Sequence, residues 1–218
     1  MGVVLMLMTI GGLICAAILL VISYFTKKIW LRTFVLGGVF VWFVSYTLLL
    51  LVSSIFSEEK TLSFNQPKEF YGFYFDCHMH AAVTGVRKTK TLGDRTANGD
   101  FYIVKVKVSS DAKQATLGLI TVDAHVVDDQ NREFKRDKQA ETQLGEQPPF
   151  DRKILPVESF EKEIVFDLSA DIKNPRLDIR EGYGIDHIIE AVLVGDEDSI
   201  LHKRNYFKLE TNEQLTGN

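Results

Sequence analysis

The chain has 218 residues, 46% of them hydrophobic, with 25 Lys and Arg against 29 Asp and Glu. The charge is uneven: residues 1–56 hold only Lys27, Lys28 and Arg32, so residues 57–218 carry 22 cations against all 29 acids, a formal charge of −7. An acidic polar region repels phosphate backbones, which argues against nucleic acid as a partner, and two cysteines provide no disulfide framework.

The first element runs from Val3 to Phe25, 23 residues without a charge. At 1.5 Å per residue it spans about 35 Å, enough to cross a hydrocarbon core of about 30 Å with some tilt. Thr33 to Phe56 form a second uncharged run. The link from Thr26 to Arg32 carries all three cations, flanked by Tyr24 and Trp30 as interfacial aromatics. The expectation is a transmembrane helical hairpin over residues 1–56, with helices at about 3–25 and 33–56, in contact with membrane lipid. The positive-inside rule puts the basic link in the cytoplasm and everything after Phe56 outside.

Competing leader signals fit poorly. A cleaved signal peptide needs a basic start, and no charge precedes Lys27. Leu13-Ile14-Cys15 places Ile where a lipoprotein needs a small residue. Gly2 lacks Ser or Thr at position 6, so the myristoylation pattern fails. Gly11-Gly12 and Gly37-Gly38 are small pairs that can let two helices pack closely, or are ordinary membrane-helix glycines. Cys15 and Cys77 fall in different environments, which leaves Cys77 a lone thiol.

Residues 57–69 read as a polar linker, and residues 70–218 as one extracytoplasmic β domain. Tyr71 to Met79 alternates, with odd positions apolar and Asp76, His78 and His80 facing away from the core. The polar stretch that follows, through Asn98-Gly99, reads as a loop. Phe101 to Val108 is a strand with Tyr102, Val104, Val106 and Val108 inward. Leu117 to Val127 is extended, and Asp128 to Asn131 is a hairpin turn into Glu133-Phe134-Lys135. Asp137 to Pro156 is a long loop with a short helical turn. Ser159 to Leu168 is a strand with Phe160, Ile164 and Phe166 on one face. Arg176 to Arg180 is a short strand, Ile185 to Val194 a strand or short helix, and Leu201 to Leu209 a last strand. Seven or eight short strands separated by turns make the fold mainly β, a β-sandwich.

Three stretches carry a resemblance: Asn98 to Val108, Val126-Val127-Asp128-Asp129-Gln130-Asn131-Arg132-Glu133-Phe134, and Leu155 to Leu168. They resemble the immunoglobulin-like domains of unknown function in bacterial lipoproteins and membrane-anchored proteins. The resemblance covers roughly the last 120 residues and implies an immunoglobulin-like β-sandwich in a bacterial envelope. It brings no catalytic residues. The plan of a helical hairpin before an external sandwich is also similar to subunit II of cytochrome c oxidase. That family's copper site needs a later Cys pair and a Met near a His, and this chain has no Cys after Cys77.

Two stretches are candidate metal sites. Cys77-His78-Met79-His80 sets four soft or borderline ligands in a row, which copper and zinc favour. On a strand, Cys77 and Met79 point one way and His78 and His80 the other. A site would therefore use His78 and His80, with His125 or Asp76 as partner; the plainer reading is a strand with a core Cys and Met. Asp196, Glu197 and Asp198 cluster three carboxylates as calcium prefers, but without EF-hand spacing; such turns also form for backbone reasons. No Gly-x-Ser-x-Gly elbow and no Gly-rich phosphate loop is present. The sequence thus leads to a non-catalytic module without a cofactor, bound to an envelope protein partner or supporting envelope structure.

Overall fold

The computed structural model describes residues 2–70, 78–182 and 188–210. The chain divides into two compact units: Met1–Glu59 with Gly184–Arg204, and Lys60–Tyr183 with Asn205–Asn218.

In the first unit, helix α1 spans Gly2–Thr26 and α2 spans Ile29–Ile55. Both are long and apolar enough to cross a membrane. An unbroken apolar helix satisfies its backbone internally and keeps its side chains for a nonpolar surrounding. The large side chains are accordingly exposed, Phe34 to 72% and Phe40 to 69%. The helices run antiparallel around a tight turn at Lys27, which adopts φ of 54°. Ser23 Oγ donates to the Lys28 carbonyl at 2.8 Å, and Trp42 Nε1 donates to Thr9 Oγ1 at 3.2 Å.

Two expectations change here. The second helix begins at Ile29 rather than Thr33, because an exposed Arg32 in the first turn leaves the backbone ladder intact. A Cβ added to Gly11, Gly12, Gly37 or Gly38 would meet nothing within 4 Å. The glycine pairs therefore do not form the contact between α1 and α2.

In the second unit, one sheet has the order β1-β9-β8-β5-β6, with β1 (Lys60–Leu62), β5 (Val122–Val127), β6 (Glu133–Lys135), β8 (Arg176–Glu181) and β9 (Asn205–Lys208). The other has the order β2-β3-β4-β7, with β2 (Lys68–Phe70), β3 (Met79–Leu92), β4 (Arg95–Ser110) and β7 (Ser159–Leu168). Only the β1–β9 pair is parallel among the described strands. The sheets share one core. Val83, Val104, Val106, Ile164 and Phe166 come from the second, and Ala124, Val126, Leu177, Ile179 and Phe207 from the first. This is a β-sandwich.

The strand register expected for β4 and β7 holds. Tyr102, Val104, Val106 and Val108 are buried, as are Phe160, Ile164 and Phe166. Strand β4 is also apolar on its other face. There Phe101 and Ile103 pack with Val165 under Ala140 of α3 (Lys138–Glu141), the helical turn expected in the long loop. The expected hairpin of Asp128–Asn131 joins β5 to β6, with His125 opposite Lys135.

Other expectations fail. The linker holds β1 and β2. The stretch read as a loop after His80 is strand β3, and the reversal lies at Gly93, φ 60°, not at Asn98-Gly99, which belongs to β4. The cause is a register shift between Val83 and Gly85. Ala81 and Val83 point inward, the bulge resets the phase, and Val86 points inward opposite Val104. A strict period of two misses such a strand. Extended pairing in the third run starts only at Val122, and the last strand only at Asn205. Residues 188–190 form a helical turn. The expected strand from Tyr71 to Met79 lies almost wholly outside the described residues.

Candidate functional site

Three places in the described residues gather polar chemistry. The first contains the histidines singled out above. His78 precedes β3 and His80 lies within it, on the outer face opposite Ser109. Both turn to Asp111, just past β4. The His78 backbone N–H donates to Asp111 Oδ1 at 2.5 Å. His78 Nδ1 and His80 Nε2 stand 3.4 and 3.5 Å from Asp111 Oδ2. The His78 N–H holds the Asp111 carboxyl below its ordinary value, against a burial that would raise it, and the two imidazoles add to the lowering.

Of the expected partners, only His125 can be placed. Asp76 and Cys77 lie outside the described residues. His125 sits in β5 of the other sheet, where its Nε2 is 3.5 Å from the buried Asp178 carboxylate. Asp178 is also held by Arg180 at 2.7 Å. Among the described residues no three His, Cys, Asp or Glu groups assemble as a metal-holding set.

The second place is the acidic turn. Asp196 Oδ1 accepts the Asp198 backbone N–H at 3.0 Å, and Asp198 pairs with Arg204 at 3.3 Å. Burial pushes the Asp196 carboxyl up. Asp196 thus closes a turn and Asp198 an ion pair within the stretch Asp196, Glu197 and Asp198 that the sequence offers as a calcium candidate.

The third place went unread in the sequence. An open groove of about 750 Å³ runs between β4, β6, α3 and the end of β7. Arg95, Lys135, Arg136 and Lys138 line it, against Asp137 and Asp167. Its walls are stitched by side chains. Asp167 accepts from the Asn98 N–H and Nδ2 and from the Gly99 N–H at 2.9 to 3.0 Å. A Cβ on Gly99 would stand 1.8 Å from the Leu168 carbonyl, so only glycine fits there. Asp137 caps α3 by accepting the Ala140 N–H at 2.8 Å and meets Arg95 at 3.3 Å. Lys135 and Lys138 reach no acidic partner among the described residues, so the groove presents positive charge. Its lining holds no histidine or cysteine. The sequence signal was the Lys135-Arg136-Asp137-Lys138 run directly after a strand.

Fold and sites together define a β-sandwich module in a chain that begins with two long apolar helices. No protein-family model and no curated protein matches the chain. Among solved structures, the chain is similar to an uncharacterized β-sandwich protein from Clostridium difficile 630. The TM-score is 0.35 and the identity 11%, over 71% of this chain and 97% of that one. At that TM-score the likeness carries no weight for function.

Proposed function

We propose that this chain is a membrane-anchored, extracytoplasmic β-sandwich module, non-catalytic, that serves protein interaction or envelope structure. The observation that carries the reading is the exposure of the two apolar helices. None of the most apolar window of α1 and 11% of that of α2 is buried, whereas a soluble core helix hides its apolar face. An immunoglobulin-like kinship of the sandwich is part of this reading, and rests on the three sequence stretches quoted above.

The cationic groove fits a partner that offers carboxylates, because Lys135 and Lys138 stand exposed along it without an acidic partner among the described residues. A second reading, metal binding through His78 and His80, draws on their convergence at Asp111. Their nitrogens already meet one carboxylate oxygen at 3.4 and 3.5 Å, a contact that a metal there has to share or displace.

The test of anchoring is alkaline carbonate extraction of membranes from cells expressing the full chain. Retention in the pellet is expected, and release into the supernatant overturns the proposal. Zinc or copper bound stoichiometrically by the purified full chain, and lost in a His78→Ala/His80→Ala variant, would favour the second reading.

A further inference from the structure

Residues 188–204 belong to the same compact unit as the helices. Three contacts tie them there. The Tyr46 hydroxyl donates to the Val192 carbonyl at 2.7 Å. The Lys203 N–H donates to Ser57 Oγ at 2.8 Å. The Val194 backbone lies so close to Gly2 that an added Cβ would stand 2.7 Å from its carbonyl oxygen.

Tyr46 fixes the depth. It lies nine residues before the end of α2 at Ile55, about 14 Å along the axis at 1.5 Å per residue. Helix α2 has 27 residues, so it is about 10 Å longer than a hydrocarbon core of about 30 Å. A centred helix therefore keeps the Tyr46 backbone inside the apolar layer. Its hydroxyl reaches back by one side chain at most, and Val192 meets it there.

The segment suits that depth. Ile188, Val192, Ile200 and Leu201 are all exposed, Leu201 to 66%. Leu201 holds φ of 65°, a costly conformation for a leucine. Ser199 Oγ donates to the Leu193 carbonyl and Arg204 neutralises Asp198, while Glu190, Asp196 and Glu197 are half-buried. Backbone groups are also matched, with the Val192 N–H on the Ile189 carbonyl and the Ile200 N–H on the Ala191 carbonyl. Non-helical backbone is tolerated at membrane depth only when the protein itself satisfies it.

We infer that residues 188–201 form an interfacial element on the side of the membrane where α1 begins and α2 ends: the exposed Ile188, Val192, Ile200 and Leu201 enter the outer acyl chains, and Glu190, Asp196, Glu197 and Asp198 stay at the level of the headgroups. The inference rests on the anchored reading above. The element adds a third, non-spanning contact with lipid, of the kind interfacial segments make by burying an apolar face at the headgroup boundary.

The test uses the full chain, with Cys15→Ala and Cys77→Ser, in phosphatidylcholine vesicles brominated on the acyl chain near the headgroup or near the bilayer centre. An environment-sensitive fluorophore is attached in turn at Ile188→Cys, Leu201→Cys, Val41→Cys near the middle of α2 and Lys135→Cys in the sandwich. The 188 and 201 probes are expected to lose most of their fluorescence to the headgroup-proximal bromines, the 41 probe to the central ones, and the 135 probe to neither. Tyr46→Phe, which removes the hydroxyl, should weaken quenching at 201 and leave it at 41. Quenching at 41 but not at 188 and 201 overturns the interfacial element while the anchor stands. No quenching at 41 overturns the anchor and the element with it.

Discussion

Arg136 and Glu141 form a two-bond clamp: Nε donates to Oε1 at 2.8 Å and Nη2 to Oε2 at 2.6 Å. Both are mostly buried, and Glu141 Oε1 also accepts the Val165 N–H at 3.2 Å. The clamp therefore pins α3 to β7 beneath the cationic groove. Removing one partner of a buried pair leaves an uncompensated charge, at a cost of about 3–5 kcal/mol. Glu141→Ala should approach the lower end of that range in urea melts of the detergent-solubilised full chain. Arg136→Lys keeps the charge but loses the fork, and should fall between. An unchanged midpoint for Glu141→Ala would show that α3 is held by apolar contacts alone.

Phe166 and Glu163 test the register of β7. Phe166 is fully buried opposite Tyr102, while Glu163 lies opposite Lys105 and reaches an exposed Arg87 at 3.1 Å. Phe166→Ala should cost about 3–5 kcal/mol, whereas an exposed ion pair contributes only about 0–1 kcal/mol. A larger loss from Glu163→Ala in the same melts would mean that the strand is shifted by one residue.

Regular alternation made β4 and β7 legible, and Asp128–Asn131 announced its hairpin. Asp128 shows why: its carboxylate accepts from the Gln130 and Arg132 N–H groups, both at 2.9 Å, which closes the turn locally. Strand β3 stayed hidden because the bulge after Val83 breaks the period and its far half, Arg87 to Thr91, is polar. His78 and His80 stood out as residue types, but their partner Asp111 is 33 residues from His78 and meets it only because β3 pairs with β4. The groove is assembled from four separate elements, and no local pattern encodes that meeting.

Acid should loosen the clasp between His78 and Asp111. The folded Asp111 carboxyl is lowered from its ordinary value, chiefly by the His78 N–H. A lowered carboxyl contributes stability above its unfolded value, about pH 4, and loses it as pH falls through the folded value. Asp111→Asn should therefore destabilise at neutral pH and differ least from the parent chain in strong acid. Thermal melts across pH 2 to 7, taken as the difference between the two chains, check this: a gap that widens on acidification contradicts the assignment.

The three cations near the helical turn make the topology testable. Lys27, Lys28 and Arg32 are exposed, and residues 1–56 hold no acid to offset them. Cytoplasmic loops of membrane proteins carry the excess of Lys and Arg, so under the proposed anchoring these three should hold the turn in the cytoplasm and send the sandwich outside. In intact cells carrying the full chain without its native cysteines, Lys135→Cys should react with a membrane-impermeant maleimide, and Thr26→Cys should react only after lysis. Neutralising the cations as Lys27→Gln, Lys28→Gln and Arg32→Gln should make labelling at 135 incomplete and expose a fraction of the chains at 26. Full labelling at 135 in that triple variant would show that the translocated sandwich, rather than loop charge, orients the hairpin. Labelling at 26 in intact cells carrying the unaltered cations would place the turn outside and reverse the proposed topology.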